Sequence, residues 1–193
     1  MYKLPARVLG RAELCRLLAA VNDSRHPTRN RTMILLSFHA GLRACEIAGL
    51  TWPMVLSPSG KLTGSLTLNL GITKGGKPRT IPTSILLLAA LRRLHLEGGK
   101  PCTGNVILSE RGGKLTPRSV VNWFRHTYDG VGMAGCSSHS GRRTFITRAA
   151  RLLPKIKGSL RDVQELAGHS SLSTTERYIE GDRAVQRKLV NLV

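Results

Sequence analysis

A chain of 193 residues, 41% of them hydrophobic, is long enough to bury one ordinary core and too apolar for intrinsic disorder. Its formal net charge of +19 is spread from Arg7 to Lys188, not gathered on one amphipathic helix, which favours nucleic acid over a membrane surface as the anionic partner. Aromatic residues at 4% argue against a base-stacking platform for single strands and leave a duplex gripped through its backbone.

Cys15, Cys45, Cys102 and Cys136 stand far apart with no C-x-x-C pair, so neither a zinc site nor a disulfide framework is expected, and a reducing cytoplasm suits the chain. Nothing reads as a signal peptide or a membrane span.

In chain order, Leu14, Leu17, Leu18 and Val21 predict an amphipathic helix over 11–22. TMILLSFHA predicts a buried helix ending at Gly41, and RACEIAGL a short second one. In SLTLNLGITKGGKPRTIP, Leu66, Leu68, Leu70 and Ile72 alternate, and Lys74-Gly75-Gly76-Lys77 is turn chemistry; a β-hairpin with lysines at its tip is expected. A helix runs from Ser84, residues 98–105 form a loop, and Thr116-Pro117 opens the next helix as cap and first turn. SHSGRRTFITRAARLL is a basic helix. Ser159 and Asp162 start another, which Gly168 ends. Ser173-Thr174-Thr175-Glu176 has the form of a capping box, which would put Tyr178 in the first turns of a helix. Val185, Leu189 and Leu192 form a closing apolar stripe, packed on its own domain or inserted into a neighbouring protomer. The sum is a mainly α domain with a small antiparallel β-sheet (α+β), without a linker.

GLRACE, ITKGGK, HSGRR and GHSSLSTTERY each have a plain structural explanation. Together they assemble two guanidinium forks (Arg43, Arg142), two imidazoles (His139, His169) and an ammonium (Lys74). Attack on a phosphodiester wants this set, because charge builds on the non-bridging oxygens and bidentate arginines match them. A phenol with a pKa near ~10 needs a neighbour that favours its anion, which an arginine pocket around Tyr178 supplies. The leaving 5′-hydroxyl needs a proton donor, for which Lys74 is suited. No metal or other cofactor is called for.

These four motifs, in order and spacing, resemble the tyrosine recombinase (phage integrase) family from about Arg11 to the end. The resemblance implies the family's catalytic-domain fold and a site-specific recombinase that cleaves and rejoins duplex DNA through a 3′-phosphotyrosyl bond. It implies Arg43 and Arg142 as the phosphate clamp, His139 and His169 as hydrogen-bonding and proton-transfer groups, and Lys74, with Lys77 as rival, as general acid. Tyr178 becomes the nucleophile, and Glu46 the acidic residue that holds the pocket in shape. Self-association on DNA, from dimer to tetramer, follows from the family's habit, with an accessory DNA-binding protein as a further partner. A bacterial or phage-infected cytoplasm is the expected location. Alternatives are relaxation of DNA like a type IB topoisomerase, or a non-catalytic DNA-binding regulator.

Two departures from the family stand out. Residues 1–193 read as a single catalytic domain without the usual N-terminal core-binding domain. Gly141 replaces an aliphatic residue, which costs a helix about 1 kcal/mol relative to alanine and is expected to loosen Arg142.

Overall fold

The computed structural model describes residues 6–73, 78–178, 187, 190 and 191. The elements in order are α1 (Arg11–Ala20), α2 (Pro27–His39), α3 (Ala44–Gly49), a 3-10 turn (Trp52–Met54), β1 (Ser65–Leu68), β2 (Arg79–Pro82), α4 (Ile85–Glu97), α5 (Pro117–Gly130), α6 (Ser140–Ile156), α7 (Leu160–Ala167) and α8 (Leu172–Glu176). This is the expected mainly α chain with one small antiparallel sheet.

Helix α2 is the central post. Met33, Ile34, Leu35 and Leu36 are all buried, because α4 and α6 pack on different sides of it. Burial of a side chain of this size stabilises by about 1.5–3 kcal/mol, so four consecutive ones anchor the helix whatever its propensity. Helix α3 packs on α5, whose Phe124 and Tyr128 are buried with rings stacked 5.9 Å apart. Pro117 opens α5 behind Thr116, whose Oγ1 accepts from the Ser119 amide at 3.1 Å. All four cysteines are free thiols.

In the hairpin, β1 and β2 pair with Leu66 opposite Ile81 and Leu68 opposite Arg79. The alternation expected through Ile72 stops at Leu68, and Leu70 is 61% exposed. The chain turns there, so that Ile72 comes to rest on Gly49 of α3; a Cβ on that glycine would lie 2.5 Å from the Ile72 Cγ2. Tertiary packing overrides local alternation. The lysine tip (Lys74, Lys77) and the stripe residues Val185, Leu189 and Leu192 lie outside the described residues.

A second, smaller apolar cluster joins Ile146 of α6 to Val163 and Ala167 of α7, with Phe145 and Tyr178 packed against it. The corner between α6 and α7 therefore carries the tyrosine. Among the described residues no helix is long and apolar enough to cross a membrane.

Candidate active site

Three glycines let the backbone converge. Gly41 ends the α2 segment at φ +63°, and a Cβ there would sit 2.5 Å from the Phe145 ring. Gly141 lies against α2, where a Cβ would meet Ser37 Oγ at 2.2 Å. The expected loosening of Arg142 is thus reversed. The missing side chain is what allows α6 to seat closely on α2, and the propensity lost is offset by that packing. Gly168 closes α7 at φ +62°, and the Arg79 side chain crosses where its Cβ would be, with Nη1 at 2.8 Å.

Arg43 sits just before α3, and Glu46 lies one turn on. The Glu46 carboxylate is fully buried and accepts four hydrogen bonds. Two come from the Arg43 amide (2.8 Å) and Arg43 Nη1 (3.0 Å), and two from Arg79 Nη1 and Nη2 (2.9 Å each). Burial pushes the acid's pKa up, but the hydrogen bonds and charges of Arg79 and Arg43 outweigh it and hold it below its ordinary value. Among the described residues, the other guanidinium N–H groups of Arg43 have no protein acceptor.

Arg142, 4% exposed, spans the recess from the α6 side. Nη1 donates to the Gly41 carbonyl and Nη2 to the Ala167 carbonyl, both at 2.7 Å. Arg79 Nε donates to the neighbouring Leu166 carbonyl at 3.2 Å, so the last turn of α7 receives two guanidinium groups. Burial is the main cause that brings the Arg142 pKa down to about 10; Arg43 and Arg79 lower it further, and Glu46 and Tyr178 oppose them. It stays a cation at neutral pH. His139 is exposed, three residues earlier at the start of α6.

His169 follows Gly168. Its Nδ1 lies 2.9 Å from the Thr175 hydroxyl, and its ring stacks on that of Tyr178 with centroids 5.6 Å apart. Burial, then the charges of Arg142, Arg43 and Arg79, lower its pKa to about 4, so the ring is neutral at physiological pH. The Arg143 guanidinium carbon lies 5.9 Å from the Tyr178 ring centroid on a cation–π approach.

The expected capping box does not form. Helix α8 starts two residues earlier than that box requires, with Ser171 as its N-cap, and Thr175 is turned inward to His169. Tyr178 therefore falls two residues beyond Glu176, the last residue of α8, with its amide donating to the Thr175 carbonyl at 3.0 Å.

Arg43, Glu46, Arg142, His169 and Tyr178 thus share one recess, with His139 at the start of the helix that supplies Arg142. Lys74 lies outside the described residues. Arg79 went unnoticed in the sequence, although a signal existed: it shares strand parity with the buried Ile81, so a guanidinium had to face inward. The recess concentrates guanidinium groups beside a neutral imidazole and a phenol, which suits a tetrahedral oxyanion. Among the described residues no group of three or more His, Cys, Asp or Glu could hold a metal ion.

The sequence profile described as the phage integrase family matches residues 7–184. Tyrosine recombinase XerC of Xanthomonas campestris pv. campestris (strain B100) is 32% identical over 181 residues, covering 93% of this chain and 52% of the relative. Tyrosine recombinase XerC of Xylella fastidiosa (strain 9a5c) is 32% identical over 183 residues, covering 94% and 58%. The chain therefore spans little more than half the length of these relatives. Among solved structures, XerA recombinase superposes with a TM-score of 0.73 at 20% identity, covering 98% of this chain and 65% of that one. A lambda integrase dimer bound to a COC′ core site gives 0.69 at 23%, covering 94% and 51%. At such identities the structural likeness concerns the fold.

Proposed function

The chain belongs to the phage integrase family, and from that premise we propose that it carries the catalytic domain of a site-specific tyrosine recombinase acting on duplex DNA. The observation that carries this reading is the convergence of three arginines on one corner: Arg43 and Arg79 share the Glu46 carboxylate, and Arg79 and Arg142 both donate to the last turn of α7, beside His169 and the Tyr178 ring stacked on it.

In the proposed reaction the Tyr178 Oη attacks a backbone phosphorus. The bond from phosphorus to the 5′-oxygen breaks, leaving a 3′-phosphotyrosine and a 5′-hydroxyl. The phenolic proton passes to solvent water as the bond forms, and Lys74 gives its ammonium proton to the departing 5′-oxygen. Arg43 and Arg142 hold the non-bridging oxygens as charge grows on them; loss of one such donor costs on the order of 10²–10³ in rate. In this reading the Thr175 hydroxyl, 2.9 Å from Nδ1, is the donor, so the neutral His169 carries its proton on Nε2 and offers it to a phosphate oxygen. His139 adds a hydrogen bond at the edge. The covalent bond keeps the phosphodiester energy, so a different 5′-hydroxyl reseals the strand without ATP. Exchange needs two duplexes, hence protomers assembling in pairs on DNA, with an accessory DNA-binding protein as a further partner. The reaction belongs where DNA lies, in the cytoplasm of a bacterial cell.

The test uses nicked duplexes of candidate sites from DNA flanking the gene, with denaturing gels for a protein–DNA adduct. The wild type forms the adduct, and Tyr178→Phe binds the same duplex and forms none. Equal trapping by both removes Tyr178 from its role. Relaxation of supercoiled plasmid regardless of sequence would favour a topoisomerase instead.

A further inference from the structure

Away from the Tyr178 recess, a cleft of about 520 Å³ lies between residues 6–10 and α6. Arg7, Arg143, Arg148 and Arg151 line it, and none of its lining residues is acidic. On α6, positions 143, 147 and 151 recur every four residues and so share a face, with Arg148 alongside. The cleft is stitched together. Arg148 Nη2 donates to the Leu9 carbonyl at 3.0 Å, and the Leu9 amide donates to Thr144 Oγ1 at 3.0 Å.

Two of these charges, those of Arg148 and Arg151, have no acidic partner among the described residues. Arg7 is ion-paired with Glu13, but the bond of Arg148 goes to a neutral carbonyl. Arg151 is exposed. Like charges held at one wall favour a bound polyanion. Arg143 belongs both to this wall and to the contact with the Tyr178 ring, so the cleft adjoins the recess through that side chain. From Arg143 to Arg151 the helix rises about 12 Å, the axial rise of roughly three or four phosphates along one strand.

We propose that the cleft between residues 6–10 and α6 is a second phosphate site, which grips the strand backbone running away from the phosphate that Tyr178 attacks. The identity of the anion rests on the DNA reading above; the geometry adds where the backbone goes and that Arg151 holds it. An acidic peptide would also suit arginines, but adjacency to the recess through Arg143 favours the DNA strand proposed to bind there.

The experiment measures non-covalent binding of a mixed-sequence duplex across a salt series, for the full chain and three variants. Arg151→Ala is the informative one, since Arg148 also supports the Leu9 carbonyl. It should lower the slope of log affinity against log salt by about 0.9 and weaken binding roughly tenfold at ~0.1 M salt. Arg151→Lys should keep the slope, and Arg92→Ala, an exposed arginine of α4, should behave as wild type. An unchanged slope in Arg151→Ala overturns the proposal. So does an equal loss in Arg92→Ala, which would mean bulk charge, or in Arg151→Lys, which would mean something other than charge. The readout needs no chemistry, so a chain that never forms an adduct would sink the recombinase reading and leave this result standing. Normal adduct formation with an unchanged slope does the reverse.

Discussion

Arg79 and Glu46 meet fork to fork: Nη1 on Oε1 and Nη2 on Oε2, each at 2.9 Å, with the carboxylate fully buried. Such a pair is weak evidence for stability as a whole, but removing one partner strands the other charge. Glu46→Gln leaves Arg43, Arg79 and Arg142 facing one another without a counter-ion. A loss of about 3–5 kcal/mol is expected in urea unfolding. Arg79→Lys keeps the charge but gives up one of the two bonds to Glu46 and the Nε bond to the Leu166 carbonyl, for a loss of at least about 1.5–3 kcal/mol. Adduct formation should fall in both.

The recess also sets a pH dependence. His169 has a folded pKa of about 4, below its ordinary value of 6.5, so between those values the unfolded chain takes up a proton that the folded chain refuses. Stability contributed here is present above pH 6.5, falls as pH drops toward 4 and then levels. Glu46 is also depressed, so its contribution is lost only as pH falls below its ordinary 4.5. Urea midpoints of wild type and His169→Gln across pH 4–7 check this; the variant should be flatter from 6.5 to 4.

Gly141→Ala tests helix packing against helix propensity. Alanine gains about 1 kcal/mol in propensity, while a Cβ 2.2 Å from Ser37 Oγ and 2.8 Å from Phe38 Cδ2 overpacks a close contact. Overpacking costs about 1–3 kcal/mol, so a net loss of up to about 2 kcal/mol is expected, with slower adduct formation because Arg142 follows directly. Adding Ser37→Gly, which removes both the Oγ and the Cβ, should recover part of it. A stabilised Gly141→Ala single variant would contradict the packing account.

Thr175→Val keeps shape and removes the hydroxyl from His169 Nδ1. The ring then loses its tautomer preference. We expect an adduct rate about tenfold lower and a stability loss of about 1–3 kcal/mol for the unsatisfied nitrogen. Single-turnover cleavage and urea midpoints measure the two separately.

Residue chemistry carried much of this into view from the sequence. Thr116-Pro117 marks a helix start and Gly168 a helix end because caps and left-handed turns need particular side chains, or none. Arg43, Arg142, His169 and Tyr178 were visible as a set because few reactions need that set. What stayed hidden depends on partners distant in sequence. β1 ends at Leu68 because Ile72 is claimed by Gly49, and α8 starts at Leu172 with Thr175 claimed by His169. Gly141 looked like a weakness because its neighbour Ser37 lies on another helix. Arg79 is hidden because its inward place on β2 makes sense only with Glu46, a partner 33 residues earlier on another element.

Arg142 ties Gly41 to Ala167, so the cationic half of the centre is bolted to the scaffold before any substrate arrives. Tyr178 lies just past a five-residue helix, held by one amide hydrogen bond, the stack on His169, the approach of Arg143 and packing against the small cluster of α6 and α7, with no side-chain hydrogen bond to another described residue. Mechanical slack is therefore lopsided. A displacement of the phenol would disturb the least of the surrounding framework and leave the guanidinium cluster of Arg43, Arg79 and Arg142 in place.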